Sequence, residues 1–217
     1  MNIIWHGQSC FQIATQKAKN NQVKIVIDPF DEATGLKVPS LEADILLVTN
    51  NHHDHNNVKA VKGNPFLIDG PGEYEIKEVF VQGISAFHDN SEGKEQGENT
   101  IYIIEAEKMR MCHLGDFGQK ELTPNQLEKV GQIDILMVPV GGNFTIDAEG
   151  AAKIISQIEP KIVIPMHYQI PKVKLKLDKL DKFLKTMGIK SFEFLPKLSI
   201  KSKDLVDKET KTIVLKP

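Results

Sequence analysis

Ten short apolar runs, most of them four to seven residues long, limit what this chain can fold into. They cover 3–5, 11–14, 23–27, 44–49, 66–68, 79–82, 100–105, 109–113, 133–139 and 161–165. Most are rich in Ile and Val and bounded by Gly, Pro, Asn or Asp, the pattern of β-strands separated by turns. Two of them, 23–27 and 45–48, are nearly continuous apolar stretches, as strands covered on both faces require. Helical signals gather in the second half. Thr123-Pro124 followed by Gln126 predicts a capped helix with proline in its first turn. Asp147 predicts a cap for a helix carrying Ala151, Ile154, Ile155 and Ile158 and stopped by Pro160. Leu175, Leu177, Leu180, Phe183 and Leu184 predict a third helix, ended by Gly188. Strands first, then strands alternating with helices, predict an α/β fold with two sheets packed face to face and helices outside.

Length and composition bound the rest. The 217 residues suit one domain spanning 1–217. A net charge of -2, with 41% apolar and 26% charged residues, describes a soluble protein with no general pull toward nucleic acid or membrane. No run approaches the roughly 18 apolar residues of a membrane span. Cys10 and Cys112 sit among apolar residues and read as small buried hydrophobes, and the expected location is the cytoplasm. Residues 170–217 hold thirteen Lys against six Asp or Glu. That excess reads as a solvated helix and tail, and secondarily as a weak phosphate-facing surface. The polar, glycine-rich segment 90–97 is expected to be a mobile surface loop.

Chemistry concentrates in Asn50-Asn51-His52-His53-Asp54-His55, directly after the apolar run 44–49. Imidazole and carboxylate donors suit a borderline cation such as zinc. His88, Asp116 and His167 also follow apolar runs, where strands emerge into loops and ligand sites gather. Alone, each reads as a structural residue; together and in order they read as a constellation.

With these residues in place, the chain resembles the metallo-β-lactamase fold superfamily of metal-dependent hydrolases. More narrowly, it resembles the small bacterial and archaeal branch that includes the ascorbate-phosphate lactonases. The resemblance runs from Trp5-His6-Gly7-Gln8-Ser9-Cys10-Phe11 through Ile27-Asp28-Pro29 to Pro165-Met166-His167-Tyr168. It implies a four-layer αββα sandwich of two mixed β-sheets. It also implies two adjacent metal positions, one using position 50, His52 and His88, the other using Asp54, His55 and His167, with Asp116 bridging. Zinc is the expected cofactor, with Mn or Fe as alternatives, at one or two ions per chain. Asp54 would orient the attacking water or act as base.

Two residues depart from the family pattern. Asn50 replaces the usual first His, and a neutral amide oxygen is a poor zinc donor, so the second position is expected to fill first. Gln8 replaces a common His and cannot titrate near neutral pH. Gln8 and Asp28 are expected to support the site from outside, Asp28 by hydrogen bonds to the metal-binding loop. His6, His53 and His113 are expected to be structural or outer residues, and Gly141-Gly142 to form a turn or admit substrate. The implied activity is hydrolysis of a small ester, lactone or phosphodiester, with an anionic substrate slightly favoured. The alternatives are a metal-binding protein without catalysis and a nuclease or phosphodiesterase. A nucleic-acid partner is not expected, while a homo-oligomer is compatible with the sequence.

Overall fold

The computed structural model describes residues 1–16, 22–205 and 209–217. Two large mixed sheets form the sandwich. The first is ordered Leu198–Ser199, Asn2–Gly7, Cys10–Gln16, Gln22–Ile27, Ile45–Leu47 and Phe66–Ile68. The second is ordered Lys211–Thr212, Ile162–Met166, Ile135–Pro139, Met109–His113, Glu98–Ala106, Val79–Phe87 and Gly72–Ile76. Each of the ten apolar runs overlaps a strand. Gly72–Ile76 was not anticipated, because its Glu-Tyr-Glu alternation leaves little apolar signal on an edge strand.

Alternation of side chains sorts the first sheet into two cores. Ile25, Ile27, Ile45 and Leu47 face the second sheet and join the main core with Val81, Ile101, Ile103 and Met111. Val26 and Leu46 face the other way and pack with Cys10, Phe30, Leu41 and Val61. Both faces of these strands are therefore apolar, which is why their sequences show no polar alternation. Cys10 and Cys112 are buried free thiols. No described helix is long and apolar enough to cross a membrane.

The described residues include three α-helices, α1 (Pro124–Val130), α2 (Ala148–Ile158) and α3 (Leu180–Thr186). Thr123 caps α1 in a reciprocal capping box with Gln126, and Asp147 caps α2 through the Gly150 N–H. The third helix is shorter than its leucine spacing predicts. Leu175 and Leu177 lie ahead of it, because 169–179 is held by other partners. Leu177 N–H donates to Gln169 Oε1, Asp178 N–H donates to the Gly141 carbonyl, and Gln169 bridges Lys179. Tertiary hydrogen bonds override helix periodicity there.

The segment 90–97 is also more ordered in its bonding than its composition suggests. The Asp89 carboxylate accepts hydrogen bonds from the N–H groups of Ser91, Gly93, Glu95 and Gln96 and from Ser91 Oγ, at 2.7–3.0 Å. These donors hold the Asp89 carboxyl well below the usual carboxylate range. The result is a defined turn that carries Gln96 to the rim of the site.

Candidate metal centre

The strand Ile45–Leu47 ends at a tight turn in which the His55 and Asn56 N–H groups both donate to the His52 carbonyl. That turn aims His52, Asp54 and His55 in different directions. His88 follows the strand ending at Phe87, Asp116 lies three residues beyond His113, and His167 follows Met166. Their donor atoms converge as two groups that could hold a metal: Asp54, His55, Asp116 and His167, all buried, and His52, His88 and Asp116, with His52 half-buried. Asp116 belongs to both. His53 is in neither; it is exposed at the cleft wall.

Distances test whether an ion fits. His55 Nε2 lies 2.9 Å from Asp116 Oδ2, His88 Nε2 lies 3.2 Å from the same oxygen, and His167 Nε2 lies 3.6 Å from Asp116 Oδ1. Asp54 Oδ2 is 3.7 Å from both His55 Nε2 and His167 Nε2. Tetrahedral donors about 2.1 Å from a zinc ion stand about 3.4 Å apart, so the set matches. His55 Nε2, both ring nitrogens of His88 and His167, and Asp116 Oδ1 are buried and make no well-aligned hydrogen bond. Such orphaned atoms are rare in a native interior unless something else satisfies them. Their burial and convergence fit a divalent ion.

Electrostatics point the same way. Burial opposes ionisation of Asp116 and Asp54, but the neighbouring histidines outweigh it and hold both carboxyls below the usual range. Burial likewise opposes charge on His55, yet Asp116, Asp28 and Asp54 raise its pKa. For His88, burial prevails and lowers the pKa, favouring the neutral ring a metal needs.

Outer partners fix this geometry. Asp28, fully buried, accepts from Thr49 N–H at 2.8 Å and Thr49 Oγ1 at 2.7 Å. Its Oδ2 also lies 2.9 Å from His55 Nδ1, which leaves Nε2 facing Asp116. We expect Asp28→Asn to weaken zinc binding by roughly 10- to 100-fold without unfolding the protein. Asparagine tolerates the left-handed backbone at position 28 (φ 48°), but it carries one acceptor oxygen where three contacts are made. Chelator competition with circular dichroism would check this; unchanged affinity would remove Asp28 from the support of the site.

One further support, Asn99, carried no sequence signal. Asn99 Oδ1 accepts from Asp116 N–H at 2.9 Å, and Asn99 Nδ2 donates to the Leu114 carbonyl. Gly115 packs so closely that a Cβ there would stand 2.4 Å from Asn99 Oδ1. His113 is a core histidine bonded to the Ser9 carbonyl and the Gly115 N–H, and burial lowers its pKa. Gln8 acts through its backbone: its carbonyl accepts from Trp5 Nε1 and His167 N–H, while its buried amide side chain has no partner. Gly141 admits the chain of the His167 loop, since a Cβ would lie 2.1 Å from the His167 carbonyl. Its role is backbone packing, and it does not line the cleft. Gln8, Asp28 and His167 all have left-handed backbones (φ 48°, 48° and 50°), strain of the kind that gathers at functional sites.

The centre opens into a cleft of about 120 Å³. Beside the donors it is walled by His53, Gln96, Phe144 and Leu175, and among the described residues no lysine or arginine lines it. Gln96 and Phe144 carry no sequence signal for this position, and Leu175 reads from sequence as part of a helix, because loop side chains reach the cleft only through the fold.

Residues 2–167 match the model of the β-lactamase superfamily domain. A metal-dependent hydrolase of Thermococcus onnurineus, in the group named UPF0173, is 32% identical over 192 residues, covering 75% of this chain and 82% of that protein. Another, from Thermoplasma volcanium, is 29% identical over 197 residues, covering 77% and 83%. Among solved structures, a Thermotoga maritima protein assigned to the Zn-dependent hydrolases of the metallo-β-lactamase superfamily is 35% identical. It superposes with a TM-score of 0.79 over 99% of this chain and 97% of its own.

Proposed function

The chain belongs to the metallo-β-lactamase superfamily and, within it, to the UPF0173 metal-dependent hydrolases, and on that premise we propose that it hydrolyses a small ester, lactone or phosphodiester at a zinc centre. The observation that carries the reading is the buried four-donor group Asp54, His55, Asp116 and His167. A divalent ion held there would supply Lewis acidity and a water of lowered pKa. The chain supplies the rest. Asp54, ionised and at the cleft wall, would orient the attacking water or act as its base. Asp116 would hold the two donor groups in register. Phe144 and Leu175 would take an apolar part of the substrate and exclude water.

We assign the first metal to the four-donor group and a weaker one to His52, His88 and Asp116. Asn50 Oδ1 already accepts the His52 N–H at 3.0 Å, which supports the uneven pair. With no lysine or arginine in the cleft among the described residues, attraction for an anionic substrate would come from the metal and histidines. The lactonase-like and phosphodiester options remain in this proposal as substrate classes to be separated by assay.

Chelation tests it. Stripping metal should abolish hydrolysis of model lactones and bis-p-nitrophenyl phosphate, and zinc or manganese should restore it. It should also lower the melting temperature, because an ion bound only to the folded state stabilises it by about 2.7 kcal/mol at a hundredfold excess over Kd. Folded protein that binds no metal and stays inactive with added zinc or manganese would refute the hydrolase.

A further inference from the structure

Along the segment 168–172, just past His167, lies a second concavity, of about 860 Å³, with Leu36, Ile170, Leu180, Phe192 and Phe194 among its walls. None of its lining residues lines the metal cleft. His167 and Tyr168 are neighbours in the chain but line different cavities. Phe192 and Phe194 are 39% and 53% exposed and pack edge to face, with ring centroids 5.3 Å apart. Large exposed aromatic surface in a concavity marks a binding site more often than a bare surface. The volume falls within the roughly 300–1,000 Å³ of small-molecule sites.

The polar groups define what fits. Lys37, Lys172, Lys179 and Lys216 line the cavity against one acidic side chain, Asp181. None of these lysines forms an ion pair among the described residues. Four unpaired cations beside an apolar wall are complementary to an anion with an apolar body. Two lining residues also carry buried atoms with no hydrogen-bond partner, Tyr168 Oη and His6 Nε2. Tyr168 is only 3% exposed, so its hydroxyl has lost water without gaining a protein acceptor. An oxygen-bearing ligand would satisfy it.

We propose that this cavity binds a small amphipathic anion, a medium-chain alkyl body with one carboxylate or phosphate head. The body lies against Ile170, Leu180, Phe192 and Phe194. The head lies among the lysines and accepts hydrogen bonds from Tyr168 Oη and His6 Nε2. The lysine excess of residues 170–217 then contributes to a ligand site, with Lys172, Lys179 and Lys216 as its cations.

The protein carries its own reporter. Trp5 is the one tryptophan, and its ring centroid lies 5.0 Å from that of Tyr168. Metal-loaded protein would be titrated with decanoate, decyl phosphate, decanol and inorganic phosphate, following Trp5 emission and heat. At least one decyl anion should bind saturably, one per chain, at least tenfold tighter than decanol, with inorganic phosphate silent. The tighter decyl anion identifies the head group. Lys37→Glu with Lys216→Glu, both exposed, should weaken the anion at least tenfold while leaving decanol and metal content unchanged. Tyr168→Phe should weaken it several-fold. No saturable binding, equal affinity for decanol, or indifference to the charge reversal would overturn the proposal. So would a dimer through Phe192 and Phe194 that the decyl anion does not dissociate.

Discussion

His167→Ala is expected to strip the protein of its metal and of hydrolysis together. His167 Nε2 lies 3.6 Å from Asp116 and 3.7 Å from Asp54, inside the group with four buried donors. Removing it leaves two carboxylates and one imidazole, a set with one donor fewer. Loss of an outer partner of a metal ligand costs roughly 10- to 100-fold in affinity, so loss of a ligand should exceed 100-fold. The substitution carries a second effect. Position 167 has φ 50°, where alanine costs about 1–2 kcal/mol but asparagine is tolerated. His167→Asn separates the two, since it should lose zinc as completely while its apo form melts near the parent. Elemental analysis and calorimetry on both variants give the answer. Zinc affinity unchanged in either would mean that His167 is not a ligand.

The sequence encodes these donors unevenly. His52, Asp54 and His55 were legible because they are packed into one turn after a strand with an unmistakable apolar pattern. His88, Asp116 and His167 were legible only as strand-end residues in order, and the resemblance to a family gave them a common purpose. What stayed hidden was everything that acts through space without a titratable side chain. Asn99 positions Asp116 from a neighbouring strand, and nothing in its sequence surroundings distinguishes it from any polar residue at a strand start. Gln8 was visible as a departure from the family, but its service comes from its carbonyl, which any residue would have. The third helix failed for a related reason: leucine spacing reports a local preference, while the hydrogen bonds that pull Leu177 and Asp178 toward Gln169 and Gly141 are tertiary. Edge strands such as Gly72–Ile76 bury too little to leave a pattern.

Asn50→His should raise bound metal from one ion per chain toward two while making the metal-free protein less stable. Asn50 has work of its own in the fold. Its Oδ1 accepts from His52 N–H at 3.0 Å, and its Nδ2 donates to Thr49 Oγ1 at 3.3 Å, which in turn donates to Asp28. The amide thus links the metal-binding turn to the carboxylate that orients His55. Histidine cannot reproduce both bonds at these positions, and losing them should cost the metal-free fold about 1 kcal/mol. With an ion present the balance reverses, because an imidazole at position 50 adds a strong donor beside His52 and His88, where an amide gives a weak one. Asn50→Ala is the control: it loses the same hydrogen bonds, adds no donor, and should match the destabilisation with no gain in stoichiometry. Elemental analysis and thermal melts with and without zinc read the two effects separately. If the histidine variant still holds one ion per chain, position 50 does not reach the His52, His88 and Asp116 group. The asparagine would then be a hinge of the turn alone, and the single buried site would have to account for all of the chemistry.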